Sequence, residues 1–261
     1  MQNILREISD HTRMRIERLK DTVPPAEMRY IAESMDAGKG FPFEEALSAD
    51  GISFICECKR ASPSRGIITD EYSVGKIAME YESAGASCIS VLTEPKWFMG
   101  ENEHLRDVSR AVGIPCLRKD FTVDEYMIYE AKTLGASAVL LISAISDTET
   151  LRNQIRICDS LGMSALVEVH NLEETASALD AGARVVGVNN RDLGDFTVNL
   201  NNSLKLREHV PEGVLFIAES GIRVPDDIRK LREAGTDGVL IGETLMRAGN
   251  KREALAMLRG S

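Results

Sequence analysis

Short apolar runs alternate with longer amphipathic segments along this chain. The runs predict eight strands, at residues 53–59, 88–92, 115–118, 138–142, 165–169, 185–188, 215–218 and 238–241. The segments between them have the apolar period of helices and predict helices at residues 74–84, 105–112, 124–134, 148–161, 172–181, 203–209 and 226–234, with a last helix from about residue 244. Near-continuous apolar strands are typical of parallel strands covered by helices.

One sequence motif recurs along the chain. It reads "SAGASCISVL" from Ser83, "TLGASAVLLI" from Thr133, "DAGARVVGVN" from Asp180 and "EAGTDGVLIG" from Glu233, with a looser copy, "SLGMSALVEV", from Ser160. In each copy a helical pattern ends at a glycine suited to the position after a helix, and a strand follows at once. Repeated αβ units of this kind indicate an α/β fold built from βα pairs.

The number of units selects a closed barrel. Eight βα units in about 210 residues, after a helical extension of about 45, fit a (βα)₈ TIM barrel better than an open doubly wound sheet. No GxGxxG follows the first predicted strand, so a dinucleotide site is not indicated. We expect a single barrel domain over residues 1–261, in which residues 1–47 form extra N-terminal helices.

Composition limits the classes of molecule that the protein is expected to bind and the cellular compartment in which it is expected to lie. The formal net charge of −10 argues against binding to nucleic acid or to an anionic membrane, so an anionic ligand needs a local positive site. Residues 1–20 predict an amphipathic helix rather than a signal peptide, and the longest apolar runs are too short to span a membrane. The five cysteines match neither a zinc pattern nor a disulfide framework, and we expect buried free thiols in the cytoplasm.

Ionisable residues sit where the predicted strands end. Side chains two positions apart share a strand face, so Glu57 and Lys59 are expected inside the barrel, and Cys56 and Cys58 against the outer helices. Polar residues end four other strands: Lys119, Glu168, Asn189, and Glu219 with Ser220. A purely structural ion pair at the barrel mouth would explain Glu57 and Lys59, but it would not explain the polar groups at the other strand ends. Convergence of all these groups on the C-terminal end of the barrel predicts a catalytic site there, with no metal-ligand cluster.

Two glycines predict where a phosphate binds. Gly221 follows Ser220 at the end of the seventh strand, in "AESGI", and Gly242 ends the eighth, in "LIGET". Barrels commonly hold phosphate on backbone N–H groups of these two loops, although both glycines are also compatible with simple tight turns. Glu243 is expected to point away while its backbone N–H remains available.

Three further residues lie near the predicted mouth. Trp97 and Phe98, after the second strand, are suited either to capping the barrel or to forming a wall for a flat aromatic ligand. His170 follows Glu168 by two positions, and we interpret it as a hydrogen-bonded residue of the rim without chemistry of its own.

The segments "ECKRASPSRG", "SVLTEPKWFMG", "LRKDF", "LVEVH", "NNRDL", "AESGI" and "LIGETLM" closely resemble, in the same order, those of the indole-3-glycerol-phosphate synthase family. The resemblance runs from about residue 43 to residue 247. It implies closure of 1-(2-carboxyphenylamino)-1-deoxyribulose 5-phosphate to indole-3-glycerol phosphate, with release of CO₂ and water and without a cofactor. It also implies a place in tryptophan biosynthesis, where noncovalent association with other enzymes of that pathway is compatible with the sequence.

The resemblance assigns residues one by one. The implied catalytic set is Glu57, Lys59, Lys119, Glu168, Asn189 and Ser220. The implied substrate-binding set is Ser62, Pro63, Phe98, Leu140, Arg191, Leu193, Glu219, Gly221, Gly242 and Glu243. Many relatives have Ser after the last glycine, whereas this chain has Glu243, so a contact to phosphate is expected there through the backbone. Lys119 is interpreted as the acid, with Glu168 and Lys59 sharing later proton transfers and Glu57 and Asn189 orienting them.

Two alternatives differ in their chemistry. A barrel like phosphoribosylanthranilate isomerase needs an acid-base pair of the Cys/Asp type at the mouth, rather than two lysines and a glutamate. A non-catalytic barrel that binds a sugar phosphate is expected to have lost catalytic positions, and all of them are present here.

Overall fold

A computed structural model describes residues 4–38, 40–192 and 194–260, and eight parallel strands in this part of the chain close into a barrel. The barrel strands are β1 (Ser53–Cys58), β4 (Cys88–Leu92), β5 (Cys116–Lys119), β6 (Ala138–Ile142), β7 (Ser164–Val169), β8 (Val185–Asn189), β9 (Leu215–Glu219) and β10 (Gly238–Ile241). Strand β10 pairs with β1 and completes the circle. Each barrel strand lies within one residue of its predicted bounds, so the predicted (βα)₈ fold is confirmed.

Helices surround the barrel in the predicted order. They are α1 (Ile4–Thr22), α2 (Pro25–Ser34), α3 (Pro42–Leu47), α4 (Val74–Ser83), α5 (Asn102–Ala111), α6 (Tyr126–Thr133), α7 (Thr148–Ser160), α8 (Leu172–Asp180), α9 (Asn201–Arg207), α10 (Pro225–Glu233), α11 (Glu243–Met246) and α12 (Lys251–Arg259). The predicted last helix is therefore two helices. A two-stranded hairpin that the sequence did not indicate, β2 (Ala61–Ser62) with β3 (Gly66–Ile67), follows β1. None of the helices described is long and apolar enough to cross a bilayer.

The glycines of the repeated motif follow helices, as expected. Gly85, Gly135, Gly182 and Gly235 follow α4, α6, α8 and α10 with φ between 78° and 91°. This left-handed backbone is strained for residues with a Cβ, which explains the recurring glycine. Each of these turns lies at the N-terminal end of the next barrel strand, away from the polar strand ends.

Alternation along the strands separates two cores. Ile55 packs inside the barrel with Leu117 and Leu140, whereas Cys56 and Cys58 pack in the layer between barrel and helices, as predicted. All five cysteines are buried free thiols. The barrel interior is thus apolar below the level at which the ionisable groups begin.

Arg118 places a buried cation between barrel and helices, next to Lys119 in sequence but on the opposite strand face. Its guanidinium is 1% exposed and donates to Oε2 of Glu130 at 2.7 Å, to the carbonyl of Met127 at 2.9 Å and to Oδ1 of Asn102 at 2.9 Å. Burial of a charge is tolerated when its donors are satisfied in this way.

Helix α1 lies across the mouth of the barrel. Arg15 donates from Nη2 to both oxygens of the buried Asp120 carboxylate, at 2.9 and 3.0 Å. Ile8, on the same helix, is buried and lines the cavity below. The predicted amphipathic helix therefore also covers the site.

Candidate active site

A cavity of about 400 Å³ opens at the C-terminal ends of the barrel strands. Within the described residues, every predicted site residue lines it: Glu57, Lys59, Ser62, Pro63, Phe98, Lys119, Leu140, Glu168, Asn189, Arg191, Glu219, Ser220, Gly221, Gly242 and Glu243. Leu193 lies outside the described residues. Residues distant in sequence therefore meet in one cavity, as the strand ends predicted.

Lys119 occupies the centre of the charged groups. Its Nζ donates to Oε2 of Glu168 at 3.1 Å and to Oε2 of Glu219 at 2.9 Å. Burial disfavours the ammonium, but the charges of Glu168, Glu219 and Glu57 outweigh burial and raise the pKa of Lys119. The lysine is therefore a cation at neutral pH.

Glu219 is a carboxylate with an unusual affinity for protons. Burial, together with the charge of Glu168, outweighs the attraction of Lys119 and raises the pKa of Glu219 from 4.5 to about 7. Its Oε1 is buried and has no hydrogen-bond partner among the residues described. A Cβ at position 187 would overlap this oxygen, so Gly187 in β8 makes room for the carboxylate.

Glu168 is held on several sides. Burial disfavours its charge, but Lys119, His170 and a hydrogen bond from Asn189 together hold its pKa below the ordinary value. Nε2 of His170 lies 3.6 Å from Oε1 of Glu168, and Nδ1 lies 3.2 Å from Glu174. His170 is thus hydrogen-bonded at the rim, as predicted, and its proximity also favours the Glu168 anion.

Glu57 and Lys59 form a second charged pair. Nζ of Lys59 donates to Oε1 of Glu57 at 2.5 Å, and the Glu57 side chain is 5% exposed. Gly242 lies directly against both groups: a Cβ there would overlap Oε1 of Glu57 and lie 2.9 Å from Nζ of Lys59. The φ of Gly242 is −112°, so the glycine is needed for space and not for an unusual backbone.

The aromatic wall of the cavity differs in part from the prediction. Phe98 lines the cavity and packs against Phe121, with ring centroids 6.1 Å apart. Trp97 instead packs edge-on against His11 of α1 at 5.3 Å. Glu94 fixes this loop by accepting from the backbone N–H groups of residues 96, 97 and 98. Trp97 therefore contacts the covering helix, and Phe98 with Phe121 forms the wall.

The loops after β9 and β10 are tied together. Ser220 has a φ of 65° and Gly221 a φ of 86°, so the chain turns sharply at the end of β9. Nδ2 of Asn190 donates to the carbonyls of Glu219 and Ser220, at 3.0 and 3.3 Å. Oγ1 of Thr244 donates to the carbonyl of Ile222 at 2.8 Å. These bonds hold both loops in place at the mouth.

Glu243 does not point away from the cavity, and that expectation is wrong. Its Oε1 lies 3.1 Å from Nε of Arg65 and 3.2 Å from Nε of Arg247, while Oε2 lies 4.0 Å from Nη2 of Arg191. Arg223 lines the same end of the cavity. The carboxylate lies among the guanidiniums of Arg65, Arg191 and Arg247 at the cavity rim.

Several lining residues were not selected from the sequence. The rim arginines Arg65, Arg223 and Arg247 have no distinctive spacing. Phe121 follows Lys119 by two positions, a spacing that on a strand would have placed it on the same face. Gly187 interrupts an apolar strand, which is a recognised sign of close approach by another group. No group of His, Cys, Asp and Glu arranged to hold a metal ion occurs in the described ranges.

Solved structures share the barrel at low sequence identity. A crystal structure of 3-hexulose-6-phosphate synthase aligns with a TM-score of 0.65 and 17% identity, covering 80% of this chain and 99% of that one. Thiamine phosphate pyrophosphorylase from Pyrococcus furiosus aligns with a TM-score of 0.60 and 20% identity, covering 80% and 94%. Likeness at this identity shows the fold alone.

Curated sequences are much closer. An indole-3-glycerol phosphate synthase of Ruminiclostridium cellulolyticum is 50% identical over 258 residues, 99% of each chain. One of Lachnoclostridium phytofermentans is 49% identical over 267 aligned positions, 98% of each chain. The family model for indole-3-glycerol phosphate synthase matches residues 5–258, which include the helices before the barrel. With the charged groups converging on one mouth and this match over nearly the whole length, the chain belongs to the indole-3-glycerol phosphate synthase family.

Proposed function

We propose that the cavity at the barrel mouth carries out the reaction of this family, closure of 1-(2-carboxyphenylamino)-1-deoxyribulose 5-phosphate to indole-3-glycerol phosphate. The observation that carries this assignment is the Lys119 ammonium, held between Glu168 and Glu219 in a cavity that also has an apolar wall and an arginine rim. The reaction needs these three features, because it has an acid-dependent step, an aromatic ring to hold and a phosphate to bind.

The substrate's two ends fit opposite sides of the cavity. Its phosphate is placed at Arg191 and at the backbone of Gly221 and Gly242, and its aromatic ring against Phe98 and Leu140. Ser62 and Pro63, between β1 and the hairpin, and Leu193 complete the proposed substrate contacts, with Ser220 beside the phosphate loop. This orientation brings the ketone between the two ends, near Lys119.

Ring closure is the step assigned to Lys119. The ring carbon that bears the carboxylate attacks the ketone carbon, a C–C bond forms, and the carbonyl oxygen takes the proton of the ammonium to become a hydroxyl. An acid placed where negative charge develops typically accelerates such a step by about 10²–10⁴. The C–CO₂ bond then breaks, and its electron pair restores the aromatic ring as CO₂ leaves.

Loss of water completes the indole. The new hydroxyl leaves as water after receiving a proton, the nitrogen lone pair assists its departure, and a proton is lost as the five-membered ring becomes aromatic. Glu168 and Lys59 share these transfers, while Glu57 and Asn189 orient them. Glu219, whose pKa of about 7 lets it hold a proton near neutrality, is placed to return one to Lys119.

The isomerase alternative lacks its acid-base pair. All five cysteines are buried, and none of them lines the described cavity. The non-catalytic alternative predicts binding without turnover. Purified protein mixed with the carboxyphenylamino ribulose phosphate should develop indole fluorescence, whereas no signal at saturating substrate would favour the non-catalytic barrel.

The family shows the class of substrate, but not the partners or the location of the protein. The enzyme acts on a phosphorylated small molecule of a biosynthetic route, as its family does. Noncovalent association with other enzymes of tryptophan biosynthesis and location in the cytoplasm stay predictions from the sequence.

A further inference from the structure

Four arginines line one rim of the cavity, and the guanidiniums of three of them lie within 4.0 Å of a single carboxylate. Arg65, Arg191, Arg223 and Arg247 all line this end, and Glu243 supplies one negative charge among them. Burial, followed by repulsion from Arg65 and Arg223, outweighs the attraction of Glu243 and lowers the pKa of Arg191. The rim therefore has positive charge available for a further anion.

We propose that Glu243 is an internal anion that competes with the substrate phosphate for these arginines and so sets how tightly the phosphate is held. The proposal rests on the placement of the phosphate at this rim. The carboxylate pairs with Arg65 and Arg247 and lies within 4.0 Å of Arg191. A phosphate that takes over these guanidiniums must displace the carboxylate or bind against its repulsion.

The contacts of Glu243 are of a kind that a ligand can replace. Its side chain is 25% exposed, and those of Arg65 and Arg247 are 47% and 51% exposed. Exposed ion pairs typically contribute about 0–1 kcal/mol each. The arginines also come from different elements, since Arg65 lies in the hairpin turn after β2 and Arg247 follows α11. Exchange of one anion for another therefore requires little rearrangement of the barrel itself.

Competition predicts the direction in which phosphate affinity changes when the charge of Glu243 is removed. When a tethered group occupies a site for most of the time, the apparent affinity of a ligand falls in proportion to the fraction of sites left open. If Glu243 instead organises the arginines for phosphate, removing its charge should weaken binding. The direction of the change separates competition from a purely structural role.

Inorganic phosphate is the probe, titrated calorimetrically at pH 8 with no substrate present. Glu243→Gln keeps the size of the side chain and removes its charge, and we expect phosphate to bind about fivefold more tightly than to the wild type. Glu243→Asp keeps the charge and should stay near the wild type. Glu208→Gln, at an exposed position after α9, controls for overall charge and should change nothing.

Steady-state kinetics provide a second readout. Glu243→Gln should lower KM and the inhibition constant of inorganic phosphate together, without raising kcat, because phosphate contacts hold ground and transition states alike. Unchanged or weaker phosphate binding by Glu243→Gln would overturn the proposal.

A further variant separates this proposal from the site assignment. Arg191→Gln should weaken phosphate binding in both the wild-type and the Glu243→Gln background. If Arg191→Gln has no effect, the phosphate binds elsewhere, and the proposed placement of the substrate fails with the competition. If Arg191→Gln weakens binding while Glu243→Gln leaves it unchanged, the placement stands and only the competition is wrong.

Discussion

Nζ of Lys119 lies 2.9 Å from Oε2 of Glu219, a contact that joins β5 to β9 across the barrel mouth. The two strands are the third and seventh of the eight, so they stand on opposite sides of the barrel. Both groups are almost fully buried, and their protonation is linked through this contact. The pair spans the space in which the ketone is proposed to react.

Lys119→Met should leave a folded protein that binds inorganic phosphate normally and turns over about 10²–10⁴ times more slowly. The substitution removes the acid and leaves the arginine rim unchanged. The measurement is kcat from indole fluorescence, with phosphate inhibition as the test of binding. Lys76→Met, on an exposed position of α4, is the matched control and should be fully active. Turnover within tenfold of the wild type would refute the role of Lys119.

Glu219→Gln should make the protein more stable at alkaline pH. The folded state raises the pKa of Glu219 from 4.5 to about 7, so it binds this proton more tightly than the unfolded chain does. The resulting stability is complete below pH 4.5, falls as the pH rises to about 7, and is absent above that. Glutamine is neutral throughout and avoids this loss, which is on the order of 1–3 kcal/mol.

Urea denaturation at pH 5 and pH 8.5 checks this sign. The difference in unfolding free energy between Glu219→Gln and the wild type should be more favourable to the variant at pH 8.5. Glu212→Gln, at an exposed position before β9, should show the same difference at both values of pH. A Glu219→Gln difference that does not depend on pH would show that this carboxyl does not titrate between the two values.

The two glycines of the proposed phosphate site should respond differently to substitution. Gly221→Val introduces a Cβ at a φ of 86° and 2.6 Å from Cγ1 of Val198, so it should distort the loop and raise KM more than it lowers kcat. Gly242→Ala presses on Glu57 and Lys59 and should lower kcat as well. Gly249→Ala, where a Cβ meets nothing within 4 Å, is the control. Equal effects on KM and kcat at both positions would contradict this separation.

Helix α1 should loosen when its anchor is removed. Arg15→Met removes the bidentate partner of the buried Asp120 carboxylate, which keeps Oγ1 of Thr93 at 2.7 Å and Nη2 of Arg118 at 3.6 Å. The cost should therefore fall below the roughly 3–5 kcal/mol of a buried charge left wholly unpaired. We expect faster hydrogen exchange in α1 and a higher KM, because this helix covers the cavity. Arg13→Met changes an exposed arginine two positions earlier on the same helix and should leave both values unchanged. Normal protection of α1 in Arg15→Met would show that apolar contacts suffice to hold it.

The sequence predicted the site residues at the strand ends better than the arrangement of side chains at the cavity rim. Strand ends were predictable because parallel apolar runs leave few choices of register, and Glu57, Lys119 and Glu168 then follow from strand alternation. The orientation of Glu243 was predicted wrongly, since it depends on guanidiniums from three separate loops. The tight fit of Gly242 against Glu57 was likewise not predictable, because closure of the barrel brings the two together.

The reactivity of the buried cysteines can be used to measure how often the barrel unfolds. Burial raises the pKa of Cys56 and Cys116 to about 12, and the thiolate is the form that reacts with disulfide reagents. Labelling at neutral pH therefore requires that the wall first come apart, so its rate measures spontaneous unfolding under native conditions. Simultaneous modification of all five thiols would identify a single cooperative unit. Early modification of Cys158 alone, in α7, would identify a helix that detaches before the strands separate.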